Sequence, residues 1–199
     1  DFSDFISNDQ TALSGVITVD VTSLRDYAFA YCDALTTVVM SEGINTIGEG
    51  AFVDCRSLTA VIIPDSVTFV GDFAFMNCDS LIIAKIGKGI DVVSSHMFAY
   101  CYSLSNLTIP EGVKSIGRDA FLYCSSLREV NIPDGVVFIG EQAFAYCSSI
   151  TEIVLPDTVT LLERDAFYCC TSLAKLVFGM GIDTITKDMT SGIQYLADV

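Results

Sequence analysis

The apolar positions of this chain recur with a period of 23 residues, and within each period they change rhythm. Leu35, Leu58, Leu81, Leu104, Leu127, Ile150 and Leu173 form one column. Phe29, Phe52, Phe75, Phe98, Phe121, Phe144 and Phe167 form a second, and Cys32, Cys55, Cys78, Cys101, Cys124, Cys147 and Cys170 a third. Three columns held in register over this distance mark an internal repeat, and a repeat of this length implies a stacked solenoid. A single unit cannot bury its apolar face alone. Stacked units can, with their strands aligned as a parallel sheet.

The unit at residues 104–126, LSNLTIPEGVKSIGRDAFLYCSS, shows the rhythm. Leu107 and Ile109 alternate about Thr108, the period of a strand with one buried face. Pro110 ends that strand, because it offers no N–H to a ladder. Glu111-Gly112 makes a turn, Val113 and Ile116 point inward again, and Gly117 permits a tight bend. Phe121 fills the core, Cys124 closes the unit, and a short helical or 3-10 turn is expected at residues 119–123. At about 4.8 Å per strand, seven coils give a stack roughly 35 Å long.

The repeat also sets the organisation. One domain is expected over residues 1–199. A degenerate first coil occupies 12–34, carried by Ile17, Val21, Leu24 and Phe29. Six full repeats follow at 35–172, then a partial last coil and cap at 173–199. There Gly192-Ile193-Gln194-Tyr195 is expected to fold over the end. The Pro column reads Ser41, Pro64, Gly87, Pro110, Pro133, Pro156, Gly179, and Ser94 and Glu163 replace Gly in theirs. Met97 stands for Ala. Such departures are expected to loosen individual turns.

Charge narrows the function. With 25 acidic and 10 basic residues the net charge is -15. Nucleic-acid binding needs a basic footprint, so no nucleic acid is expected as partner. An anionic membrane surface would repel the chain, whereas cationic partners would be attracted. No apolar run approaches the roughly 20 residues that span a bilayer, so no membrane insertion is expected in this segment. The opening Asp1-Phe2-Ser3-Asp4 shows neither an initiator Met nor a signal-peptide pattern, and a leader already removed would fit it.

The pattern L-x-x-[VI]-x-[IL]-P-x-x-[VI]-x-x-[IV]-G-x-x-A-F-x-x-C resembles the BspA-type leucine-rich repeat, over about residues 17–189. The resemblance implies a leucine-rich-repeat solenoid of the α/β horseshoe class, rich in β-structure. It would have a parallel sheet of about seven stacked strands and short helical or 3-10 turns on the other side. It also implies an extracellular or cell-surface protein that adheres to host matrix proteins or other cells.

Catalytic chemistry finds little to use. Seven cysteines share one interior column and read as reduced packing groups, since free Cys behaves as a small buried hydrophobe. Adjacent-coil disulfides are sterically conceivable, but their side chains would have to turn along the stack. Cys169, outside the column, is the expected exposed thiol. A single-file column cannot surround zinc tetrahedrally. His96, the only histidine, falls in a turn and reads as a surface residue. G-x-S-x-G and phosphate-loop patterns are absent. No catalytic residue, cofactor or metal is therefore expected. The acidic column Glu42, Asp65, Glu111, Asp134 and Asp157, interrupted by Lys88, reads as a solvated turn. Its sharper alternative is a strip for cationic ligands or Ca²⁺, although a line does not supply converging oxygens.

Binding residues are expected on the outward strand positions, which the resemblance makes the concave surface. One column reads Thr37, Ala60, Ile83, Asn106, Glu129, Glu152, Lys175 and its neighbour Val39, Ile62, Lys85, Thr108, Asn131, Val154, Val177. These vary where the core columns do not, which is how repeat proteins build binding surfaces. Exposed apolar members can mark an interaction site, although β-branched residues also simply suit strands. A secondary candidate is the tyrosine column Tyr31, Tyr100, Tyr123 and Tyr146, with Tyr102 and Tyr168 nearby. Tyr is enriched at interfaces, but the rings would equally serve as packing between coils. Asn106-Leu107-Thr108 fits a glycosylation sequon. Two readings follow: a monomeric module binding a protein partner, or a structural spacer displaying another domain.

Overall fold

Each repeat folds into one coil with two short strands and a turning segment, and the coils stack in register. The computed structural model describes residues 15–189 and 191–193. The first strands build one ladder, in which β1 (Gly15–Val19), β3 (Leu35–Met40), β5 (Ala60–Ile62), β7 (Ile83–Lys85) and β9 (Asn106–Thr108) pair in that order. After an interruption β12 (Glu152–Val154) pairs with β14 (Lys175–Val177), and between the two runs Glu129 makes a single bridge to Glu152. All pairings are parallel, with partners one repeat apart: Ile62 lies opposite Lys85, and Lys85 opposite Thr108. The parallel-strand solenoid expected from the columns is what forms.

A second ladder runs along the coil after the Pro turn. β2 (Ser23–Leu24), β4 (Thr46–Ile47) and β6 (Phe69–Val70) form one run, and β8 (Val92–Val93), β10 (Ser115–Ile116), β11 (Phe138–Ile139) and β13 (Leu161–Leu162) another. Each strand has two residues, one outward and one inward. That is too short to print an alternation in the sequence. Its inward members, from Leu24 to Leu162, are all buried.

Residues 119–123 turn without becoming a helix. The Leu122 N–H donates to the Asp119 carbonyl at 3.1 Å and Cys124 to Phe121 at 3.1 Å. The N–H groups of Asp119, Phe121 and Tyr123 instead donate to Glu141, Ala143 and Ala145 of the next coil at 2.9, 2.8 and 2.9 Å. Alternate amides are thus committed across the stack, which a 3-10 helix, with every bond inside the segment, does not permit. Among the described residues the one 3-10 segment is Lys187–Met189. Two positions per coil take left-handed backbone. One column holds Tyr27, Phe73, His96, Asp119, Gln142 and Asp165, the other Tyr31, Asp54, Asn77, Tyr100, Tyr123, Tyr146 and Cys169, all with φ of 54–62°. Such a conformation costs a side-chain-bearing residue roughly 1–2 kcal/mol. The cross-coil bonds donated by these same residues offset that cost.

The core follows the repeating columns. The seven Leu/Ile residues of the first column are fully buried. The Phe rings stack continuously from Phe29 to Phe167, with centroids 5.1–5.7 Å apart. From Cys55 to Cys170, each column thiol donates to the Phe carbonyl of the preceding coil at 3.0–3.3 Å. All eight cysteines are free.

The departures from the repeat tighten turns where loosening was expected. A Cβ on Gly87 would collide with the Pro64 carbonyl oxygen, and one on Gly179 with that of Pro156. Glycine stands there because neighbouring backbones touch. Ser94 is buried, and its hydroxyl donates to the Val70 carbonyl. At the last coil, Met189 and Ile193 pack against the core and Gly192, at φ +72°, takes the left-handed position against the Tyr168 ring. Gln194 and Tyr195 lie outside the described residues.

Candidate interaction surface

The first ladder places its two variable columns on one outward face. Val39, Ile62, Ile83, Lys85, Asn106, Thr108, Glu129, Asn131, Glu152, Val154 and Lys175 are exposed, and Thr37 is half-buried. Strand alternation does this: Val61, Ala84 and Ile153 point into the core, so their neighbours must point out. The apolar members are open to water, Ile62 at 58%, Val154 at 49%, Val39 at 48% and Ile83 at 43% exposure. The face is graded along the stack. Val39, Ala60, Ile62 and Ile83 lie towards the amino end, Asn106, Thr108 and Asn131 in the middle, and Glu129 and Glu152 beyond them. Lys175 pairs with Glu152, and Glu129 has no ion pair among the described residues.

Two other columns face outward. The rings of Tyr100, Tyr123 and Tyr146 stack on one another at 5.3 and 4.2 Å, flanked by Tyr102 and Tyr168. They shelter Ala99, Leu122 and Ala145 in a small cluster outside the main core. Lost hydration raises the phenols of Tyr102 and Tyr146 above their ordinary value. With their faces against one another, these rings are mainly packing groups. The outward column of the second ladder was not legible in the sequence: Phe69, Val92 and Leu161 are exposed there, and Phe138 is half-buried. Its signal was the residue preceding each inward Val, Ile or Leu of that ladder.

The solenoid, its parallel ladders and its invariant columns can now be set beside known proteins. The model of the BspA type leucine rich repeat region matches six copies, over residues 22–147 and 114–199. The chain belongs to the BspA-type leucine-rich repeat family. Its BspA-type coils align with a leucine rich cell surface protein from Faecalibacterium prausnitzii A2-165 at 25% identity and a TM-score of 0.63, covering 85% of this chain and 61% of that one. They align with a T. pallidum leucine rich repeat protein at 24% identity and 0.61, covering 82% and 69%. The pneumococcal vaccine antigen PcpA aligns at 14% and 0.52, covering 87% and 59%. The chain thus spans about three fifths of the length of the first of these proteins. None of the curated proteins matches it.

Outside the ladders, the BspA-type coils hold one buried ionic group. His96 is no ordinary surface histidine: its side chain is 26% exposed, and its Nε2 lies 3.1 Å from Oδ2 of Asp119, itself 5% exposed. Arg118 Nε donates to the same oxygen at 3.0 Å, and Phe73 covers the imidazole at 4.7 Å. Asp119 Oδ1 and His96 Nδ1 are buried and unpartnered. No substrate reaches atoms so enclosed, so the pair braces two coils. The acidic column is partly structural as well. Asp65 accepts the Lys88 N–H at 3.0 Å and Asp157 the Met180 N–H at 2.8 Å, each one coil ahead. Among the described residues no three His, Cys, Asp or Glu are grouped to hold a metal, and no helix is long and apolar enough to cross a membrane. Cys169 is half-buried beside Tyr168, which it raises above the ordinary phenol value through their hydrogen bond.

Proposed function

We propose that this chain is a non-catalytic protein-binding module of an extracellular or cell-surface protein, serving adhesion, and that the partner lies on the outward face of the first ladder. One observation carries the reading. That face presents exposed Val39, Ile62, Ile83 and Val154 among polar residues that change from coil to coil, on a core that does not change. Exposed apolar area on a rigid frame is what a partner can cover. The test is a triple substitution, Ile62→Ser, Lys85→Glu and Val154→Ser, assayed by biolayer interferometry against a panel of host matrix proteins. Capture shown by the parent should be lost, while each exposed substitution changes stability by about 0.5 kcal/mol or less. Capture undiminished by the triple substitution would sink the assignment of the face.

A further inference from the structure

We infer that the occupant of the first-ladder face is an amphipathic α-helix lying along the solenoid axis, with a carboxylate over Lys85 and Lys or Arg side chains over Glu129 and Glu152. This rests on the reading of that face as the binding surface and adds the shape and charge of the partner. The shape comes from commensurability. Successive coils repeat at about 4.8 Å, and an α-helix repeats at about 5.4 Å per turn. A helix laid along the stack therefore offers about one turn to each coil. An extended segment returns a side chain to the same face only every 6.6 Å or so, and falls out of step within two coils.

The charge order comes from the columns. Val39, Ala60, Ile62 and Ile83 occupy adjacent coils and give the helix an apolar seat. Lys85 sits beside Ile62 and opposite Thr108, with no acidic partner among the described residues. Glu129 bridges directly to Glu152 across the ladder, so two like charges are held side by side. Directly opposed like charges are destabilising on a sheet. Lys175 relieves Glu152 alone. A cationic side chain from outside completes the pair, in a molecule whose net charge of -15 already draws cations to it. From Lys85 to Glu129 is two coils, about 10 Å, which is about seven residues of helix. The partner helix thus carries apolar residues at i, i+3 and i+4 spacing, an acidic residue, and its basic residues about two turns farther on.

The experiment uses the intact chain and fluorescein-labelled peptides of about 18 residues, followed by anisotropy. The parent peptide has this pattern. A second exchanges its acidic and basic positions, and a third breaks the helix with a central Pro. The parent should bind at least tenfold tighter than either relative. Glu129→Gln with Glu152→Gln should weaken the parent about tenfold, with the chain still folded by circular dichroism. Equal binding of the charge-exchanged or Pro-broken peptide overturns the inference, as does binding of none of them. If no helix binds but the triple substitution still abolishes matrix-protein capture, the helical partner is wrong and the face is right. If capture also survives that substitution, both are wrong.

Discussion

At Gly87 a single methyl group decides between two coils. The Cβ of an Ala there would strike the Pro64 carbonyl, which belongs to backbone and cannot swing away. Gly43, by contrast, has nothing within 4 Å of such a Cβ. Gly87→Ala should therefore lower unfolding free energy by about 1–3 kcal/mol, as overpacking does. Gly43→Ala should change it by about 0.5 kcal/mol or less, both read by urea denaturation. Comparable losses at the two sites would refute the close-approach argument. Side-chain roles were legible only where a column was written out in full. Leu, Phe and Cys repeat as identities, so burial could be assigned. His96 and Asp119 share one column in adjacent coils, but as different residues, and a histidine read alone has no visible partner. The left-handed positions were hidden for a similar reason. Tyr, Phe and Cys occupy them in place of the Gly or Asn that would have announced them.

Among the elements, the cysteine ladder makes the clearest demand on solution conditions. Burial pushes the thiols of Cys78, Cys101, Cys124 and Cys147 up, and that of Cys170 up to about 12. In the unfolded chain a thiol titrates near 8.5 or so. Above that pH the unfolded chain holds fewer protons than the folded one, so stability falls as pH rises. The thiols' contribution is complete below about pH 8.5 and is lost as pH climbs towards 12. Urea midpoints should decline between pH 8 and pH 10. A midpoint that stayed level over this interval would contradict a thiol ladder sealed from water. The first ladder was readable because its strands run to three residues or more and alternate. The second was not, because two residues cannot show a period.

For the whole solenoid, each coil touches only its neighbours, so stability is a sum along one dimension. Phe98 stacks on Phe75 and Phe121, whereas the described stacking of Phe167 is with Phe144 alone. Phe98→Ala should cost about 3–5 kcal/mol and loosen coils on both sides. Phe167→Ala should cost less and leave the amino-terminal coils protected from hydrogen exchange. Uniform loss of protection in both variants would point to a globally cooperative core instead.

The two ladders break at different heights. The first is interrupted between β9 and the Glu129 bridge, the second between β6 and β8. At the first gap, β10 and β11 remain paired; at the second, β5 and β7 do. The seams are staggered as in bonded masonry, and no cut across the stack meets both. A tension applied along the axis would find no cleavage plane. Pulled between its ends, the rod should yield from a terminus inward, not snap at the middle.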